Sequence, residues 1–493
     1  MAAIRRIVSA SVVSAAAIGL VVPIAPPATA ATCTASEANV DPPAAAAAPP
    51  QTMTPVGPRP PLPTGRRPRG ANENAPLPRL GPLISALLKP GSQYSAPLQQ
   101  QAGVVPPVPN PPNPGNQVPP NANQWGPNAV PAQPAPEPAA APAPPASIAG
   151  APTSLVEWVT GPNSPNKTLD RFGISGTDLG IPWDNGDAVN RQVLMAFGDT
   201  FGYCRLQGQQ HRYNTLFRSQ DRNLADGISV APGVPNDKYS GSPVRQANFS
   251  KQIIPAYKWA PTQESMIPTA GVSVGRNQYM NFMSVKNWGR DGEWSTNYSA
   301  IAVSPDNGQN WGIYPGSVRT PGPDSVRGAH YVPGNENFQM GAFMRGADGY
   351  IYSFGTPSGR GGSAHLARVP QRFVPDVTKY QYWNGDQNAW VLNNPGAATP
   401  VIPGPVAEMS AHYNNYLKQY LALYTNGGND VVARTAPAPQ GPWSPEQLLV
   451  SSFQMPGGIY APMVHPWSTG RDLYFNLSSW NAYDVMLMHT ELP

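Results

Sequence analysis

The run Tyr279-Met280-Asn281-Phe282-Met283, then Tyr298-Ser299-Ala300-Ile301-Ala302-Val303, then Ser304-Pro305-Asp306-Asn307-Gly308-Gln309-Asn310-Trp311, decides the fold. An aromatic-rich segment of strand length leads, a polar loop intervenes, a second strand-length segment follows, and a turn rich in Asp, Asn and Gly comes after it. The leading and following segments recur four more times. Residues 193–197 precede 215–218, 350–354 precede 365–369, 420–424 precede 431–434, and 473–477 precede 485–488. The period is about 55 to 85 residues, and no long amphipathic helical pattern competes with it. Units of this kind close on themselves by radial repetition. The expected fold is all-β, a five-bladed β-propeller, with a β-sandwich or β-solenoid as the alternatives.

Working outward, residues 151–493 form one stretch rich in Trp, Tyr and Phe, expected to be the propeller. At about 340 residues it is long for a single packed core but ordinary for a ring of blades. Residues 31–150 are dominated by Pro and Ala. Proline removes backbone donors and fixes φ, so a disordered, semi-stiff linker is expected there. Residues 1–30 read as a signal peptide: Arg5 and Arg6, an apolar run broken by Ser9, Ser11, Ser14 and Pro23, then Ala28-Thr29-Ala30. The mature protein is expected to be a secreted or cell-envelope monomer with no membrane span after signal cleavage. Cys33 and Cys204 are the only cysteines, which argues against thiolate zinc sites and leaves a single disulfide open. A net charge of +4 with 12% charged residues is too weakly basic for a nucleic-acid partner. Low charge with many aromatic, Asn and Gly residues suits a neutral polysaccharide.

In a propeller the ligand site lies on the axis, where the innermost strands converge. Those strands should precede the aromatic ones, at 176–181, 264–274, 337–344, 407–413 and 460–465. They carry Asp178, Glu264 and Glu408, and Asp199 ends the aromatic strand of the first unit. Glycoside hydrolysis requires two carboxyl groups, one to protonate the leaving oxygen and one as base or nucleophile. Asp178 and Asp199 come from adjacent strands and are the catalytic candidates, with Gly176, Gly180 and Gly198 leaving room for a sugar. The expectation is that Asp178 acts as base through a water and Asp199 as acid or acid-tuning partner. Substrate-binding candidates are Glu264, Glu408, Trp183, Tyr460 and Trp480, the last three by stacking on sugar faces. His211, Arg360, His365 and His465 have no spacing that fixes a metal and read as core or loop residues. No metal and no cofactor is expected. The glycine-rich 355–362 segment joins two strands with no helix behind it, so it is not a nucleotide loop.

Two resemblances sharpen this reading. Residues 304–311 resemble the Asp-box of sialidase-like propellers, with Asn310 in place of the usual Thr. That motif is structural, so Asp306 is not a catalytic candidate. Ile174-Ser175-Gly176-Thr177-Asp178-Leu179-Gly180, Phe197-Gly198-Asp199-Thr200-Phe201 and the 474–487 stretch resemble the domain of unknown function 4185, classed as glycoside hydrolase family 183. This resemblance covers about 151–493. It implies a five-bladed propeller with endo-D-arabinofuranase activity on the arabinan of arabinogalactan and lipoarabinomannan, with Asp178 and Asp199 as the essential acids. The competing functions are a non-catalytic carbohydrate-binding propeller of the envelope and a sialidase-like exo-enzyme. The latter is weakened by the lack of an evident arginine triad.

Overall fold

Antiparallel sheets build the molecule, because nearly every apolar run in it alternates with turn residues at hairpin spacing. The computed structural model describes residues 143–202, 210–257, 259–289, 292–323, 325–455 and 457–493. The expected signal peptide at 1–30, nearly all of the Pro/Ala-rich segment, Cys33 and Cys204 lie outside the described residues. Five sheets form the blades. Blade one holds Ile181–Asp184, Val193–Phe197 and Thr215–Ser219. Blade two holds Ser265–Val274, Asn277–Trp288, Trp294–Ser304 and Gly312–Ile313. Blade three runs from Met340–Arg345 through Tyr350–Thr356 and Ala364–Pro370 to three short outer strands. Blade four holds Met409–Asn414, Gln419–Thr425, Val431–Ala436 and Gln447–Val450. Blade five holds Ile459–Val464, Asp472–Ser479 and Asp484–Glu491.

The first strand of each blade contacts the first strand of the next, and blade five contacts blade one, so the ring closes. Each aromatic segment that the sequence singles out is the second strand of a blade, and each follower is the third. The described residues hold one short α-helix, Thr168–Phe172, and the all-β five-bladed propeller is the observed fold.

Closure has a second component. Thr153–Trp158, from the start of the domain, pairs antiparallel with Asp484–Glu491 and supplies the outermost strand of blade five. Packing begins still earlier. The buried Ile148 donates its N–H to Gln447 Oε1 (2.5 Å), and Ala146 donates to Gln419 Oε1 (2.7 Å).

The Asp-box forms the turn between the third and fourth strands of blade two. Asp306 Oδ1 accepts from Ser304 Oγ (2.8 Å) and from the Asn310 N–H (2.9 Å), and Asn310 Nδ2 donates to Asp306 Oδ2 (2.8 Å). Gly308 takes φ 75°, and Trp311 donates to its carbonyl (3.0 Å). Asparagine at 310 thus adds a side-chain bond within the turn.

Candidate active site

Alternating strand direction sorts the loops. If the first strand of a blade leaves one face of the ring, the segments entering first strands and the loops joining second to third strands share that face. The turns joining third to fourth strands lie on the other. A pocket lies among Asp178, Asp199, Trp294, Arg360, Glu408 and Tyr460. Asp178 and Glu408 are on entries to first strands. Asp199, Trp294 and Arg360 are on or beside second-to-third loops. Tyr460 is the second residue of the first strand of blade five.

The blade-one entry is not the innermost strand itself, as 176–181 was expected to be; that strand is Ile181–Asp184. Residues 175–178 instead lie along 198–201: Gly176 bridges Phe201, and Gly198 donates to the Asp178 carbonyl (3.2 Å). Thr177 and Thr200 join through their hydroxyls (2.8 Å). Asp178 and Asp199 are thereby held on adjacent segments, and both line the pocket.

Their surroundings differ. Asp178 Oδ1 is fully covered with no partner, and Tyr460 Oη meets Oδ2 at 2.9 Å. Burial, then the nearby Asp199 charge, pushes the Asp178 carboxyl up to about 8. Tyr460 stabilises the ionised form and Arg360 also favours it, but burial outweighs both. Asp199 Oδ1 accepts from Ser265 Oγ (2.6 Å) and meets His211 Nε2 (2.8 Å). These are ligands suited to a carboxylate. His211 stacks on Phe201 at 5.0 Å, which fixes its ring plane.

Opposite the acids, Arg360 makes a two-pronged pair with Glu408, Nε to Oε2 at 3.1 Å and Nη2 to Oε1 at 2.6 Å. Its guanidinium lies 4.4 Å from the Trp480 ring centre and 5.4 Å from that of Trp294. Tyr460 and Trp480, each 2% exposed, stack on one another at 4.1 Å under the Arg360 guanidinium, so neither presents the free ring face expected from sequence for a sugar; they hold the acid and the arginine in place instead. The backbone around the acids is unusual: Leu179 (φ 70°), Ala461 (φ 54°) and Tyr483 (φ 54°) are left-handed non-glycine residues. Gly198 serves a purpose other than sugar access. A Cβ there would stand 2.4 Å from Asp178 Oδ1, so glycine is what lets the acid sit against the backbone.

Asp178, Asp199, Glu408, Tyr460 and Trp480 therefore line one pocket. Two sequence candidates do not. Trp183 is 4% exposed, packs at 6.4 Å on Trp311 of the Asp-box and donates to Gln278 Oε1 (2.9 Å). It is a core residue between blades one and two, not a sugar platform. Glu264 is exposed and outside the pocket lining; the neighbouring Ser265 is the residue that reaches Asp199. The sequence gives no sign of Ser265 and presents His211 and Arg360 only as core or loop residues, whereas both reach the pocket acids. Arg360 was within reach of sequence reasoning, since the 355–362 segment joins the second and third strands of its blade. Among the described residues no three His, Cys, Asp or Glu side chains gather as metal ligands.

The family described as Domain of unknown function (DUF4185) matches residues 163–489. Notoamide biosynthesis cluster protein J of Aspergillus sp. (strain MF297-2) is 28% identical over 333 residues, 65% of this chain and 84% of that protein. Protein J' of Aspergillus versicolor is 27% identical over 63% of this chain and 83% of that protein. Among solved structures, an α-L-arabinofuranosidase from Podospora anserina aligns with TM-score 0.37 at 13% identity, covering 70% of this chain and 98% of that one. The arabinanase of Bacillus subtilis aligns with TM-score 0.35 at 12% identity, covering 64% and 96%.

Proposed function

Because the chain belongs to the DUF4185 family, we propose that its pocket hydrolyses glycosidic bonds in a furanoside polymer, D-arabinan, in an endo-acting manner. The observation that carries this reading is the pair of carboxyl groups in contrasting environments on adjacent segments of one pocket. An acid that keeps its proton near neutrality beside a second carboxyl group held by a hydroxyl and an imidazole matches the pairing of roles that glycosidases use. The roles expected from sequence are reversed here. Asp178, which keeps its proton to about pH 8, donates it to the leaving oxygen. Asp199, oriented by Ser265 and His211, is the base or nucleophile on the sugar. Arg360 and Glu408 bind hydroxyl groups, with Trp480 and Tyr460 packed behind Arg360 and Trp294 beside it. The choice of D-arabinan rests on the motif resemblance around Asp178 and Asp199. Action outside the cytoplasmic membrane rests on the leader-like residues 1–30.

The test is incubation of the full chain with D-arabinan, with product sizes followed by chromatography. Oligosaccharides from the wild type, and a loss of about 10²-fold or more in Asp178→Asn and Asp199→Asn, are expected. Binding of the polymer with no product from the wild type would favour the non-catalytic alternative. Release undiminished in both variants would reject the two-carboxylate reading.

A further inference from the structure

Away from the pocket, three arginines are almost wholly buried: Arg212, Arg218 and Arg319. Burying a guanidinium is costly unless its donors find acceptors. Arg218 donates to the Asn307 carbonyl (2.8 Å), the Ser240 carbonyl (2.9 Å) and Gln309 Oε1 (2.9 Å). Arg212 donates to the carbonyls of Ser250 (2.7 Å) and Gly173 (2.5 Å), although its Nε has no partner. Arg319 differs. Its Nη2 reaches Tyr382 Oη at 3.5 Å, its Nε has no partner, and the groups that favour its charge are the hydroxyls of Tyr382 and Tyr380 rather than a carboxylate. The rings of Tyr380 and Phe338 lie 4.7 Å and 5.8 Å away.

Arg319 also lines a small pocket. This second pocket lies between blades two and three, behind Met340 and Gly341 of the active-site wall, with Asn281 and Ser353 on its lining. It has room for about one water-sized particle. Water filling that space would supply no negative charge to the guanidinium, which has tyrosine hydroxyls beside it.

We propose that this pocket is a site for a small monatomic anion, chloride in solution, held by Arg319 between blades two and three. The space is too small for phosphate, sulfate or a carboxylic acid, so selectivity comes from size. Bound there, the ion would join the two blades that supply Trp294 and Arg360 to the active site.

Two measurements on the full chain test this. First, thermal unfolding is followed at fixed ionic strength as gluconate is replaced by chloride. A Tm rise of roughly 2–4 °C up to about 0.15 M chloride is expected, matched by bromide and absent in Arg319→Gln. A Tm indifferent to the exchange would overturn the proposal. Second, bromide-soaked crystals should show an anomalous scattering peak beside Arg319 Nε. This reading does not depend on the variant folding. Ordered water at that position, or bromide only on the surface, would reject the site. Neither readout involves glycan cleavage.

Discussion

Asp178 is held in its protonated form at a measurable cost to the fold. The unfolded carboxyl releases its proton near 3.8, whereas the folded one holds it up to about 8. Between those values the native state binds the extra proton. Stability contributed by this group is full below about pH 4, declines as pH rises towards about 8, and is level above. Asp178→Asn keeps the neutral shape without the titration. It should raise Tm at pH 8 relative to wild type, leave Tm nearly unchanged at pH 4, and abolish cleavage. Calorimetry across pH checks the first two, and an equal stability gap at both pH values would contradict them. The same proton sets the alkaline limb of activity, which should fall as pH passes about 8. Arg360 favours the ionised Asp178 and Glu408 opposes it. Arg360→Gln removes the first and leaves the second unpaired, so the limb should move upward by roughly one unit. Arg360→Lys retains the charge but not the two-pronged contact, so KM should rise with the limb in place. A pH–rate profile of both variants separates this from a purely structural role, which would lower the rate at every pH alike.

At the scale of strands and loops, the sequence carries the blades well and the site unevenly, for a geometric reason. Period-two runs of aromatic and β-branched residues mark the second and third strands directly. The catalytic candidates were legible because Asp178 and Asp199 sit in two short glycine-bearing motifs close together in the chain. Ser265, His211 and Arg360 reach the same pocket only through loop placement, which local pattern does not reveal. Trp183 misleads because depth along a strand is invisible in composition. It lies five positions after Asp178, up to about 16 Å further along an extended chain, and ends against the Asp-box Trp311. Trp183→Ala should therefore cost about 3–5 kcal/mol of stability while KM of the folded fraction stays unchanged. Urea unfolding with parallel kinetics tests this, and a raised KM at full stability would return Trp183 to the site. The closing strand is the other element that pattern hides, because Thr153–Trp158 pairs with Asp484–Glu491 across nearly the whole domain. Deleting residues 143–158 exposes the edge of Asp484–Glu491 and removes the buried Ile148. Aggregation on expression is expected, read by size-exclusion chromatography against the full chain.

At the scale of the whole ring, the pocket exists because five blades each deliver a residue to one mouth. Asp178 and Asp199 come from blade one, Trp294 from blade two, Arg360 from the loop of blade three, Glu408 from the entry to blade four and Tyr460 from blade five. No pair of neighbouring blades holds the full set, so opening the ring at any interface disperses it. Loss of cleavage in urea should then coincide with loss of Trp fluorescence, whereas an open repeat array would lose the two signals separately. The opposite face offers the complementary test. Asp306 stabilises its turn through bonds to Ser304 and Asn310, and that turn lies at the far end of blade two from the mouth. Those backbone and side-chain donors hold its carboxyl below the usual range, so its contribution is present above the unfolded value and lost as pH falls through the folded one. Asp306→Ala should lower Tm at pH 7, with the deficit shrinking towards acid pH, and leave kcat/KM unchanged at temperatures where the ring is closed. A fall in kcat/KM with Tm intact would mean that the two faces of the propeller are chemically coupled, and the site could no longer be assigned to the mouth alone.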